Sequence, residues 1–153
     1  MKTVSIVIPN YNGAQILQEN LPIILQHSQK YSAPVIIVDD GSTDDSIQIL
    51  QDKFNVSLFT QANSSAAQSI PSQKTVIKKD KNQGFSSTVN IGVKFAKTDL
   101  VCLLNSDIIP SQNFLDPLLP YFDDSQVAAV GMMDLSDDGD SHGRGKFIFH
   151  QGF

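Results

Sequence analysis

Val35-Ile36-Ile37-Val38-Asp39-Asp40-Gly41-Ser42 decides the fold. Its β-branched residues follow one another without polar alternation, which describes a strand covered on both faces, as in a parallel sheet. The run ends on two carboxylates, a glycine and a serine, all turn and cap chemistry. Ser42 with Asp45 three residues on predicts an N-cap for a helix marked by Ile47, Leu50 and Phe54. Two more runs have the same make. Val4-Ser5-Ile6-Val7-Ile8 leads into Pro9-Asn10-Tyr11-Asn12-Gly13, and Leu100-Val101-Cys102-Leu103-Leu104 leads into Asn105-Ser106-Asp107. Thr75-Val76-Ile77 is a fourth, shorter run. Helical spacing fills the gaps. Ile16, Leu17, Leu21, Ile24 and Leu25 predict a helix kinked or broken near Pro22, which lacks an amide donor. Val89, Val93 and Ala96 predict another, entered from a turn at Gly84, and Phe114, Leu115, Leu118 and Leu119 a fourth, distorted by Pro117. Strands alternating with helices in this way predict an α/β sandwich around a mostly parallel, doubly wound sheet.

The remainder sets bounds. A chain of 153 residues, 41% of them apolar, is one domain's worth of sequence, assigned here to residues 1–153. Residues 60–73 have no periodicity and read as a surface insertion. Near the end, Lys146-Phe147-Ile148-Phe149-His150 reads as a strand where the chain stops, so the domain is expected to be incomplete at its C-terminus. A net charge of −5 argues against nucleic acid as a partner. A lone cysteine, Cys102, excludes an internal disulfide. No apolar run reaches the ~20 residues of a membrane span, and the first strand is too short for a secretory leader. The expectation is a cytoplasmic domain, associated with membranes only through parts not present.

In an open parallel sheet, ligands sit outside the carboxyl ends of the strands, where strand order reverses. Three strand ends here deliver an aromatic ring, a carboxylate pair and another carboxylate to one rim. The glycine fingerprint of dinucleotide sites does not follow the first strand, and no Gly-Lys-Ser/Thr occurs. Clustered carboxylates repel unless protonated or met by a cation. Mg²⁺ or Mn²⁺ would meet them with oxygen ligands and could bridge to a diphosphate. Tyr11 could stack on a base. Simpler readings compete. Asp39 and Asp40 could cap the next helix, Asp107 could be a turn residue, and Asn82, Gly84 and Asn90 more readily shape a loop than touch ligand. Lys74, Lys78, Lys79 and Lys81 read as a solvated, charged edge, and Cys102 as an inert core residue. Asp134, Asp137, Asp138 and Asp140 only partly echo a calcium loop, since Gly145 stands where a glutamate should close it. His142 and His150 read as surface residues.

Taken in order, Ser5-Ile-Val-Ile-Pro-Asn-Tyr-Asn-Gly13, Val38-Asp-Asp-Gly-Ser-Thr-Asp44, Asn82-Gln-Gly-Phe85 with Asn90-Ile-Gly92, and Leu104-Asn-Ser-Asp107 resemble the family 2 glycosyltransferases of GT-A fold. The resemblance implies inverting transfer of a sugar from a nucleoside-diphosphate donor to a saccharide or lipid-linked acceptor, assisted by a divalent metal. It implies that Pro9 and Tyr11 line the base pocket and that Asp40 meets the base, with Asp39 supporting it or the ribose. Asn105-Ser106-Asp107 stands in the place of the family's Asp-x-Asp motif, with Asp107 holding the metal and Asn105 replacing the first aspartate. The Asn-x-Asp form and the Asp138-Gly139 turn resemble the branch that includes rhamnosyltransferases. The family's general base, an acidic residue on the acceptor side, has no counterpart before Phe153 and is expected beyond it. A nucleotide-binding module without catalysis is the alternative.

Overall fold

A computed structural model of the chain describes residues 2–60 and 73–132. The expected insertion at 60–73 lies almost wholly outside those residues. So do the strand at Lys146–His150, the aspartates of 134–140, and His142 and His150.

The chain divides into two compact units, Met1–Gln112 and Asn113–Phe153. The first unit is α/β. Its elements are β1 (Val4–Asn10), α1 (Ala14–Gln29), β2 (Val35–Asp39), α2 (Ser46–Phe54), β3 (Ser57–Thr60), β4 (Lys74–Lys78), α3 (Phe85–Phe95) and β5 (Leu100–Leu103). All five strands run parallel in the order β3-β4-β2-β1-β5. The chain therefore builds outward from β1 on one side and returns to its other side with β5. The reversal falls between β1 and β5, which is where such sheets open a crevice at their carboxyl ends.

Both faces of the central strands β1, β2 and β4 are buried, as their apolar runs require, whereas the edge strand β5 leaves Leu103 48% exposed, against the expectation for its run. Val7, Ile36, Val38 and Ile77 form one core face with Phe95 of α3, and the opposite-pointing Ile6, Ile8, Val35, Ile37 and Val76 are equally buried. Gly92 brings α3 directly onto the first face. A Cβ there would stand 2.4 Å from Val7 Cγ1 and 3.0 Å from Val38 Cγ2. α1 and α2 lie side by side, burying Leu17, Leu21, Ile24 and Leu50.

Several expectations need correction. A fifth strand, β3, was not anticipated: it is four residues long and only half-buried, so its apolar signal is weak. α1 runs unbroken through Pro22, which sits on its exposed side. α2 begins at Ser46 rather than after Ser42, because Ser42 is engaged with Asp39, and the Asp44 carboxylate takes the Ser46 amide instead. In α3, Val93 faces solvent and Gly92 takes the inward place. The helix expected after Pro110 is absent. The second unit, within its described residues, has turns and then a short 3₁₀ helix at Leu119–Asp123. Prolines at 110, 117 and 120 withhold the amides an α-helix would need.

Candidate nucleotide-sugar site

The carboxyl ends of β1, β2 and β5 meet at one cavity of about 390 Å³, within the range of small-molecule sites. Pro9, Tyr11, Asp40, Asn105, Ser106 and Asp107 all line it. Asp39 does not. Its side chain is fully buried one layer behind the wall. There it accepts hydrogen bonds from Asn10 Nδ2 (2.8 Å), Ser42 Oγ (2.6 Å) and the Ser42 amide (2.9 Å). Asp39 thus ties the loop after β1 to the loop after β2. The tie is extended by Ser42 Oγ, which accepts from the Asn12 amide, and by Asn12 Oδ1, which accepts from the Thr43 amide, each at 2.8 Å. Farther along, the Ala14 amide donates to Asp44 at 2.9 Å.

Asp40 is 4% exposed, yet it reaches the cavity. Its Oδ1 accepts from the Gln83 amide and its Oδ2 from the Gly84 amide, both at 2.9 Å, and Lys79 completes a buried ion pair with Oδ1. Lys79 is itself fully buried and donates to Thr88 Oγ1 at 3.0 Å. This corrects the reading of Lys79 as a solvated edge charge. Burial alone would push the Asp40 carboxyl up, but the bond from Lys79, then the Gln83 amide, the lysine charge and the Gly84 amide together hold it below its ordinary value. Asp40 is therefore an anion at neutral pH. A carboxylate has about four acceptor positions, and three are taken, leaving one on Oδ2.

Gly41 makes this arrangement possible. Its φ is +73°, and a Cβ would lie 2.6 Å from the Lys81 carbonyl carbon. The 79–84 turn therefore packs against glycine backbone before entering α3, where Gly84 (φ +87°) takes the N-cap place. Asn82 and Gly84 shape that turn, as expected, and also line the cavity. Asn90 is exposed on α3. Phe85, 62% exposed, and Ile16 of α1 add apolar lining to the cavity; in the sequence Ile16 marks a helix and Phe85 falls within a motif, but neither stands out as a site residue.

On the β5 side, Asn105 and Asp107 are exposed and Ser106 is half-buried. Cys102, just before them, is buried, and desolvation pushes its thiol up to about 11, which makes it a core residue rather than a nucleophile. Among the described residues no three His, Cys, Asp or Glu side chains gather as a metal cage. Asp107, Asn105 and Ser106 do offer oxygen donors around one carboxylate. That set fits a hard cation that keeps waters and takes its other ligands from a diphosphate, since Mg²⁺ is commonly held by one or two carboxylates plus phosphate oxygens.

The sequence matches the family model of Glycosyl transferase family 2 over residues 5–150. The chain belongs to that family. Among its curated relatives are the chondroitin synthase of Pasteurella multocida (27% identical, 83% of this chain, 12% of that protein) and that of Escherichia coli (29%, 83% and 17%). The O-antigen chain rhamnosyltransferase of Salmonella typhimurium is 28% identical over 83% of this chain and 35% of its own length. The rhamnosyltransferase branch is thus not singled out from its neighbours. The chain spans well under half the length of these relatives. Among solved structures, a mannosyltransferase from Pyrobaculum calidifontis, in complex with GDP-Man and Mn²⁺, superposes with a TM-score of 0.64 at 21% identity, covering 82% of this chain and 34% of that one. S. aureus TarS in complex with UDP-GlcNAc gives 0.59 at 20%, covering 85% and 36%. The GT-A fold is shared. No helix among the described residues is long and apolar enough to cross a membrane.

Proposed function

We propose that this family 2 domain binds a nucleoside-diphosphate sugar, and that the protein it serves transfers the sugar with inversion to a saccharide or lipid-linked acceptor. The observation that carries the reading is the convergence of Pro9, Tyr11, Asp40 and Asn105–Asp107 on one cavity at the β1/β5 reversal. Tyr11, half exposed at the rim, offers its face to a base. The remaining acceptor position of Asp40 suits a ring N–H, as uracil, thymine and guanine possess. Asp107, with Asn105 and Ser106, is the place for Mg²⁺ or Mn²⁺, which would draw negative charge off the departing diphosphate. That proteins of the same fold hold GDP-Man with Mn²⁺ and UDP-GlcNAc supports the donor class. Asp39 enters as a brace for the loops rather than a ligand contact. An inverting transfer also needs a base for the acceptor hydroxyl.

Calorimetric titration of the chain with UDP, dTDP and GDP, each with and without Mn²⁺, tests this. Saturable binding of one diphosphate that tightens with metal is expected. Failure of a folded chain to bind any of them overturns the donor-site reading. A second reading, a nucleotide-binding module that does not turn over, is favoured by one feature: Asn105 stands where a second carboxylate would strengthen the metal site. Binding without any metal effect would favour it.

A further inference from the structure

The loop from Asn105 to Pro110 brings Asp107 to the cavity, and it is gripped from outside by one face of α1. Asn20 Nδ2 donates to the Ser106 carbonyl at 3.0 Å. His27 Nδ1 lies 3.0 Å from the Pro110 carbonyl. A carbonyl only accepts, so that ring nitrogen carries the proton. Ile16, on the same helix, lines the cavity that Asn105 and Asp107 also line. Ile16, Asn20, Ile23 and His27 follow one another at spacings of four, three and four residues, which places them along a single helix face.

The dimensions agree. Asn20 and His27 are separated by about 10 Å along the axis at 1.5 Å per residue. The four-residue step from Ser106 to Pro110 reaches at most ~14 Å. One face of α1 can therefore hold both ends of this step at once. Within the loop itself, the Ile108 amide donates to the Asn105 carbonyl at 3.2 Å, a single turn bond. The side chains of Asn105 and Asp107 are exposed. Their placement therefore depends on the backbone being held at Ser106.

We propose that Asn20 is a positioning residue for the metal-bearing loop: it touches neither donor nor metal but, through the Ser106 carbonyl, aims Asp107 into the cavity, while His27 anchors the loop's far end. The proposal rests on the reading of Asp107 as the metal ligand, and its test separates the two. Mn²⁺ affinity is measured by titration in the presence of whichever of UDP, dTDP and GDP binds, for the unaltered chain and for Asn20→Leu, His27→Phe and Asp107→Ala. Metal-free affinity for the same diphosphate is measured alongside.

Asp107→Ala is expected to abolish the metal effect. Asn20→Leu, which keeps the branched shape and removes the donor, is expected to weaken Mn²⁺ about fivefold, the equivalent of one hydrogen bond, with metal-free nucleotide affinity unchanged. His27→Phe is expected to change Mn²⁺ affinity less. A merely structural role would lower metal-free and metal-dependent affinity together, and that result overturns the proposal. So does Mn²⁺ affinity in Asn20→Leu equal to that of the unaltered chain while Asp107→Ala loses it; the metal reading then stands without Asn20. An Asp107→Ala chain with its metal effect intact overturns both. Should Asn20→Leu fail to fold, Asn20→Ser, which shortens the side chain out of reach of the carbonyl, is scored the same way.

Discussion

Asp40 and Asp107 line the same cavity from opposite sides of the sheet's reversal, and the protein holds them by different means. Asp40 is buried, with a buried lysine and two backbone amides directed at its carboxylate. Asp107 is exposed on a loop whose anchors are backbone carbonyls taken by a neighbouring helix. The β2 side fixes a charge before any ligand arrives. The β5 side presents oxygen atoms and leaves their final geometry to what binds. On the proposed reading, a diphosphate and its cation would use both: a preset acceptor for a base, and an exposed carboxylate open to an incoming metal.

The sharpest way to break this contrast is Lys79→Ala. It strips a buried carboxylate of its counter-charge, and uncompensated burial of this kind costs about 3–5 kcal/mol; urea unfolding against the unaltered chain measures it. A loss below ~1 kcal/mol would mean that the two amides suffice. Gly41→Ala comes next. Left-handed backbone costs an L-residue about 1–2 kcal/mol, and contact with the Lys81 carbonyl carbon adds to it, so the melting temperature should fall and nucleotide affinity with it. Acid titration sharpens the comparison. Because the Asp40 carboxyl is held below 3.8, the folded chain binds fewer protons there than the unfolded one. The pair's contribution is fully present above pH ~4 and is lost as pH falls through the lower folded value. Thermal melts between pH 6 and pH 3 should show that loss, and a Lys79→Met chain should lose less over the same range. Tyr11→Ala should cost about 1 kcal/mol of nucleotide affinity with no change in melting temperature. Smallest of all is the stability effect of Asp107→Ala, expected within about 0.5 kcal/mol because the residue is exposed, even as the metal effect on binding disappears.

The parts of the molecule written in contiguous residues could be read before its structure. Strand ends were legible because an apolar run that stops on Asp-Asp-Gly-Ser or Asn-Ser-Asp announces both the strand and its rim. Tyr11, Asp40 and Asp107 at the cavity followed from that, whereas Pro9, Asn105 and Ser106 were named through the family resemblance. Lys79 was not legible. In Lys78-Lys79-Asp80-Lys81 it looks like any solvated charge, and its partner lies 39 residues earlier in the chain. Asp39 and Asp40 look alike in sequence, yet successive residues of a strand point to opposite sides. One turns into the loop brace and the other into the cavity. Asn20 and His27 resemble ordinary polar residues of an amphipathic helix, since carbonyl acceptors on a distant loop leave no mark in composition. β3 escaped notice because four half-buried residues are too few to show a period.

Gly92 adds a mechanical consequence. With no side chain between its backbone and Val7 and Val38, α3 rests on the sheet like a shaft in its bearing, without clearance to slide or tilt. The turn that feeds it is bolted to Asp40. Any tightening of the cavity must then leave α3 and its entry turn where they stand.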